Sequence, residues 1–405
     1  MKKQSILKYI SYGAMAVLIV AMMAATVLEK IHGTAFALHW VYHNSVFITL
    51  WGVAAASGLW FLLGSGVARK PFTLLLHVAF AVILAGALIT HLTGLSGAIH
   101  LRDGEPTAAF ELDDETSASL PFSIRLEKFA VEYDPVSKTP SDYRSDITFL
   151  PEDKAVTVSM NHIAKYRGYR FYQADYDEDG QGSILAVSHD PWGVGITYTG
   201  YLLLLVSMVG YFFQKETPYR EACLAIRRRS SPGRGRRVTR IVLVAAGCVL
   251  LLLWWLDAFP KGPLMPVLRS PLLFFHMIPI MVSYALFGVL AMLGLVGLLV
   301  RMEVSERLRN RSLVILCPAV FLLTFGTFLG AVWANISWGN YWAWDPKETW
   351  ALVTLLVYSF PLHGKVLKVF DKPRFFHAFL LIAFLCVLVT YFGVNMLLGG
   401  MHSYA

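Results

Sequence analysis

The chain has 405 residues, 56% of them hydrophobic and 15% charged, and its apolar residues gather in runs about 20 long. That composition excludes a water-soluble globular domain and a disordered chain, and it indicates a polytopic membrane protein with helices that each cross a core of ~30 Å. The net charge of +8 is no nucleic-acid surface, because Lys and Arg crowd a few short loops while Asp and Glu collect in one hydrophilic segment.

Nine transmembrane helices are predicted. The first, roughly 10–28, follows the basic start MKK and shows no small-residue cleavage site, so it is expected to remain as an anchor. Spans two and three cover 44–64 and 72–92. His77 lies about six residues into the third span, hence in the inner half of the bilayer at 1.5 Å per residue. The next segment, 95–193, is hydrophilic and acidic. Its stretches FSIRLEKFAVEY (Phe122 to Tyr133), KAVTVSM (Lys154 to Met160) and GYRFYQADY (Gly168 to Tyr176) alternate apolar with polar residues between Pro, Asp and Gly turns. They predict a small β-rich domain inserted between helices three and four and tethered at both ends.

Span four, 194–214, leads into a linker, 215–238, with the run RRRSSPGRGRR, Arg227 to Arg237. Spans five to nine are expected at 239–256, 272–300, 313–333, 348–364 and 375–397. Placing the N-terminus inside puts the Lys- and Arg-rich segments 1–9, 65–71, 215–240, 301–312 and 365–374 in the cytoplasm. The β-rich domain and the C-terminus then lie outside, and the basic linker reads as a topology-fixing, lipid-facing segment. The four cysteines, Cys223, Cys248, Cys317 and Cys386, form no CxxC pair and sit where no external disulfide could form. No CxxCH occurs, so any haem held here is noncovalent.

Ionisable residues inside spans are functional candidates, which makes the depth of each histidine informative. His363, at the cytoplasmic end of span eight, lies at a level similar to His77. Two imidazoles at one depth on different helices can ligate one haem iron from opposite faces, or can each bond a neighbouring helix. His377, at the start of span nine, rivals His363 for that role. On the outer side, His276 lies in SPLLFFHMIPIMVSY and His402 in GGMHSYA. Between them in sequence runs WANISWGNYWAWDPKETW, Trp333 to Trp350, with five of the chain's 11 tryptophans. Flat rings flanked by two histidines suit an exposed iron macrocycle, whereas an ordinary interfacial belt is the competing explanation. The end of the stretch, D-P-K-E, predicts a helix start: Asp345 as N-cap, Pro346 in first position, and Glu348 completing a capping box. Ser270 and Pro271 before span six follow the same logic.

The stretch WGNYWAWDPKETW resembles the tryptophan-rich signature of the CcsA/ResC family of cytochrome c maturation. SPLLFFHMIPIMVSYALFG and GVNMLLGGMHSYA are similar to that family's two external-histidine segments. TVLEKIHGTAFALHWVYHN, FTLLLHVAFAVILAGALITHLTG and YRGYRFYQADYDEDGQGSILAVSHDPWG resemble the partner family, CcsB/ResB. The order is that of the fused cytochrome c synthase family. The resemblance implies a CcsB/ResB-like unit at 1–94, the external domain at 95–193, helix four at 194–214, the linker at 215–238 and a CcsA-like haem-handling unit at 239–405, whose Trp-rich outer loop spans 333–347.

It further implies that haem b, bound noncovalently, occupies a transmembrane site ligated by His77 and His363. From there it reaches an external catalytic site with His276 and His402 as axial ligands, where Trp338, Trp342, Trp344 and Asp345 belong to the haem-binding loop. There haem is joined by thioethers to the CxxCH segment of an apocytochrome c. Implied partners are that apocytochrome, haem, thiol-reducing maturation proteins and the lipid of a bacterial inner membrane, with no nucleic acid. Two other readings stand beside this holocytochrome c synthase: a noncatalytic haem-binding scaffold, and a b-type electron-transfer subunit. The cytoplasmic segments lack a GxxxxGK[ST] loop, which argues against ATP-driven export by the chain itself.

Overall fold

A computed structural model describes residues 2–113, 116–136, 138–229 and 270–398. Three helices open the chain: α1 (Lys2–His32), α2 (Ser45–Leu63) and α3 (Pro71–Thr93). The Asn44 side chain caps α2 by accepting from Val46 N at 2.9 Å. At the start of α3 the orphan N–H groups of Phe72 and Thr73 donate to the Gln214 carboxamide at 2.8 and 3.3 Å.

Eight antiparallel strands follow, β1 (Leu95–Arg102), β2 (Pro106–Leu112), β3 (Ser117–Tyr133), β4 (Pro140–Leu150), β5 (Lys154–Ser159), β6 (Ala164–Tyr166), β7 (Tyr169–Tyr176) and β8 (Gly182–His189). They form one sheet in the order β5-β4-β3-β2-β1-β8-β7-β6. The predicted alternation is the reason for its core: Phe122, Ile124 and Leu126 turn inward from β3, with Ile99, Leu101, Ile147, Phe149, Phe171 and Leu185 from other strands. The sheet curls over this core, so that Phe149 of β4 stacks on Tyr166 of β6 at 4.4 Å. Ser145 of β4 bonds Gln173 of β7 at 2.7 Å across the interior.

The chain re-enters the bundle through α4 (Gly193–Phe213) and continues in α5 (Pro218–Arg229). Asp190 accepts from Gly193 N at 2.7 Å and from the Thr90 hydroxyl at 2.6 Å, which ties the start of α4 to the end of α3. The two helices pack so tightly that a Cβ on Gly200 would lie 2.6 Å from Ile83. The C-terminal part contains α6 (Pro271–Leu299), α7 (Met302–Ser337), α8 (Pro346–Ser359) and α9 (Pro373–Leu388), the last running on as a π-helix, Val389–Leu398.

Among the described residues, seven helices are long and apolar enough to cross a membrane: Ile6–His32, Ser45–Leu63, Pro71–Thr93, Gly193–Arg228, Pro271–Leu299, Met302–Ser337 and Pro373–Leu398. The protein is thus a polytopic membrane protein with one antiparallel β domain. Of the nine expected spans, 239–256 lies outside the described residues, and 348–364 is not one continuous long helix. There, α8 has 14 residues and is finished by a 3-10 turn, Phe360–His363. Pro361 is the cause: it has no N–H for the ladder, and its ring crowds the preceding turn.

Candidate functional site

Two histidines meet at the end of the bundle away from the sheet. His77 of α3 and His363 of the 3-10 turn have ring centroids 5.8 Å apart, with their planes at 81°. Each ring is oriented by its own backbone: His77 Nδ1 bonds Thr73 O at 2.7 Å and His363 Nδ1 bonds Ser359 O at 2.9 Å. Nδ1–H donation to a carbonyl fixes the tautomer that leaves Nε2 unprotonated, the form a metal-ligating imidazole takes. Neither Nε2 makes a hydrogen bond among the described residues. Tyr12 of α1 packs edge-on against His363 at 6.0 Å, so a third helix lines the site.

His377 does not join this pair. It is fully buried between α6 and α7, where Nε2 bonds Ser305 O at 3.0 Å and Gly297 leaves room for its ring.

The tryptophan-rich loop lies at the other end of the bundle, and its rings do not form one flat platform. Trp342 and Trp344 meet edge to face, 5.8 Å apart at 88°, and Trp338 meets Trp333 at 4.7 Å and 70°. One face of Trp344 is stacked on Tyr42, 4.6 Å away at 9°, and Phe47 meets its edge at 5.4 Å. Trp344 also has φ of 58°, a left-handed backbone that a bulky residue rarely adopts. The Thr349 hydroxyl donates to Trp344 O at 3.2 Å and holds that turn.

Asp345 is buried and caps α8 by accepting from Lys347 N at 3.0 Å, as the sequence predicts. The capping box is modified: Glu348 reaches past the cap and accepts from Ala343 N at 2.9 Å, so it braces the Trp loop. Ser270 occupies the N-cap of α6, yet its side chain makes no cap bond. Lys347 donates to Asn395 Oδ1 at 3.1 Å, in the π-helix that precedes His402. His402 itself lies outside the described residues. His276 is half-buried on α6, with Nδ1 bonded to Gly326 O at 2.8 Å and its ring nearly parallel to Trp333 at 6.5 Å. Gly330 makes this approach possible, since a Cβ there would collide with the His276 ring.

Sequence reasoning missed what surrounds the loop. The β domain seats directly on it: the Tyr172 ring covers Gly339, whose φ of 83° and contact with that ring leave no room for a side chain. The Ser337 hydroxyl donates to Asn161 Oδ1 at 2.8 Å. With its amide oriented to satisfy its neighbours, Asn335 accepts from Tyr198 at 2.7 Å and from Arg170 at 3.2 Å and donates to Gly339 O at 3.2 Å. From the first helices, Thr26 accepts from Trp350 Nε1 at 3.1 Å and Thr90 from the Tyr341 hydroxyl at 3.0 Å. A cleft of about 470 Å³ opens beside the loop between β6, β7, α4 and α7, lined in part by Lys165, Tyr169, Arg170 and Tyr198.

His43, between the first two spans, has its ring centroid 5.2 Å from that of His91 near the end of α3. Burial, and then the neighbouring His91 and His39, hold the His43 imidazole below its ordinary range. Asp177 in the β domain is held below the usual carboxylate range by hydrogen bonds from His100 and Arg102.

Comparison with known proteins finds two regions. Residues 224–402 match the family described as cytochrome C assembly protein, and residues 54–188 match the ResB-like family. Protein NrfI of Wolinella succinogenes is 41% identical over 152 residues, 35% of this chain and 17% of that protein. The cytochrome c biogenesis protein CcsA of Gloeothece citriformis is 46% identical over 106 residues, 26% of this chain and 31% of its own length. That of Guillardia theta is 34% identical over 179 residues, 36% of this chain and 58% of its own length. The chain therefore spans less than two thirds of each of these relatives. His77 falls in the ResB-like region and His276 and His363 in the cytochrome C assembly region.

Proposed function

We propose that this chain, which joins a ResB-like region to a cytochrome C assembly region, works in cytochrome c biogenesis, moving haem b across the membrane and attaching it to apocytochrome c. Haem is the cargo and the substrate. It is taken up between His77 and His363, one ligand from each matched region, and passes to the outer site, where His276 and His402 are the axial ligands. Trp338, Trp342 and Trp344 line that site, and Asp345 holds the turn from which they project.

At the outer site each thiol of a CxxCH segment adds across a haem vinyl group. Sulfur bonds to the vinyl carbon next to the ring, and the thiol hydrogen ends on the terminal carbon, which becomes a methyl. No net oxidation occurs in that step. The substrate's own histidine takes the axial position that a protein imidazole gives up. The cleft between sheet and helices, beside the loop and lined by Tyr169, Arg170 and Tyr198, suits an extended peptide segment at this point. In this reading the N-terminus is cytoplasmic in a bacterial inner membrane, the β domain is external, and thiol-reducing proteins keep the substrate competent.

The observation that carries the reading is the histidine pair: two rings 5.8 Å apart, each oriented through Nδ1, each with Nε2 unbonded among the described residues. Expression of the chain with a CxxCH apocytochrome in a host lacking other maturation machinery should yield covalently bound haem on the substrate. A folded, haem-loaded chain that gives no covalent product would reject the synthase and leave a haem-presenting scaffold.

A further inference from the structure

Two lysines converge just beyond the histidine pair, at the same end of the bundle. Lys70 immediately precedes α3, seven positions before His77, or about 10 Å along a helix. Lys365 follows His363 by two residues. Both ammonium groups donate to one acceptor, the carbonyl oxygen of Glu216, at 2.8 and 3.3 Å.

Two cations on one oxygen repel each other and need anions nearby. Here these are the Glu216 carboxylate, 3.4 Å from Lys70, and the Glu221 carboxylate against Lys365. The glutamates are poor permanent partners. Glu216 is 76% exposed and Glu221 48%, and solvated pairs of this kind contribute little to stability. The arrangement is a pair of cations held ready at the membrane boundary by replaceable carboxylates.

We propose that Lys70 and Lys365 form a clamp for a dicarboxylate, the two propionates of the haem held by His77 and His363. The propionates displace Glu216 and Glu221, which return when the cargo leaves. The clamp selects a macrocycle with two free acids, because an ammonium on a flexible stem recognises carboxylate charge and an ester offers none. This inference rests on the haem-transport reading.

The test titrates the purified full chain in nanodiscs with haem and with haem dimethyl ester, every chain, including the otherwise wild-type one, carrying His276→Ala so that only the inner site can give bis-imidazole haem, and follows the low-spin spectrum. The wild type should bind the free acid roughly tenfold or more tightly than the ester. The Lys70→Gln/Lys365→Gln variant should lose that preference while keeping the low-spin spectrum at saturation, and the double Lys→Arg variant should retain it. Equal binding of acid and ester by the wild type overturns the clamp, as does an undiminished preference in the glutamine variant. Equal binding is also the result expected if the lysines serve an anionic lipid headgroup instead. A wild type that takes up neither compound, or a His77→Ala variant with an unchanged spectrum, would instead overturn the transport site itself.

Discussion

Trp344 is the residue at which the local chemistry of the loop is most constrained. A left-handed backbone on a tryptophan stores about 1–3 kcal/mol and persists because its surroundings hold it. The Tyr42 ring lies flat on the indole, and the Tyr42 hydroxyl is 3.4 Å from the Thr349 hydroxyl that bonds Trp344 O. Tyr42→Ala should therefore destabilise the protein by about 3–5 kcal/mol, the cost of emptying a buried aromatic site, and release the turn. Tyr42→Phe should cost less than ~1 kcal/mol, since it keeps the stack and loses one long hydrogen bond. Thermal unfolding in detergent with tryptophan fluorescence measures both. At the inner site, His363→Ala should abolish the low-spin haem spectrum. His377→Ala should leave that spectrum intact and lower stability by removing the bond to Ser305 O. The reverse result would reassign the ligand. His77 and His363 were legible because depth along a helix can be counted from the sequence. Tyr42 was not, because its partner is about 300 positions away and no local pattern links them.

Among the elements, α6 and α7 show how a small residue sets the position of a functional ring. Gly330 admits the His276 imidazole to the surface of α7. Gly330→Val should expel that ring with little change in helix content, and should reduce covalent attachment as far as His276→Ala does. Haem bound at the inner site should remain in both variants, as its absorbance will report. The β domain answers to pH through Asp177, whose carboxyl is bonded by His100 and Arg102. Its folded pKa lies below the ordinary value. The stabilisation is thus complete above the usual carboxylate range and lost as pH falls through the depressed folded value. Asp177→Asn should remove that acid-side loss, as unfolding curves between neutral and strongly acidic pH will show. The strands were legible because a period of two survives in any sheet that buries one face. The shortened eighth helix was missed because hydropathy alone did not register the effect of Pro361 on the backbone ladder.

On the scale of the whole molecule, the Trp-rich loop is a joint between the C-terminal helices and the part of the chain that precedes the linker. Tyr42, Thr26 and Thr90 hold it from the first helices and Asn161, Tyr172 and Ser188 from the sheet. The hydrophilic segment was legible as a domain, but where it rests depends on side chains meeting across the fold, which no single stretch encodes. If the chain is cut within 230–238 and both pieces are produced together, they should copurify and bind haem. The C-terminal piece alone, with His276→Ala to silence the outer site, should show neither the low-spin spectrum nor a native tryptophan emission. The histidine pair adds a logical constraint to this joint. One imidazole comes from the piece before the linker and one from the piece after it, so neither piece can complete the ligand set. If the pair ligates haem as proposed, axial ligation works as a coincidence detector. Under the proposed transport, haem is captured at the inner site only by a molecule in which both parts have been made, inserted and docked, and a translation arrested before the second part leaves nothing that can hold the cargo.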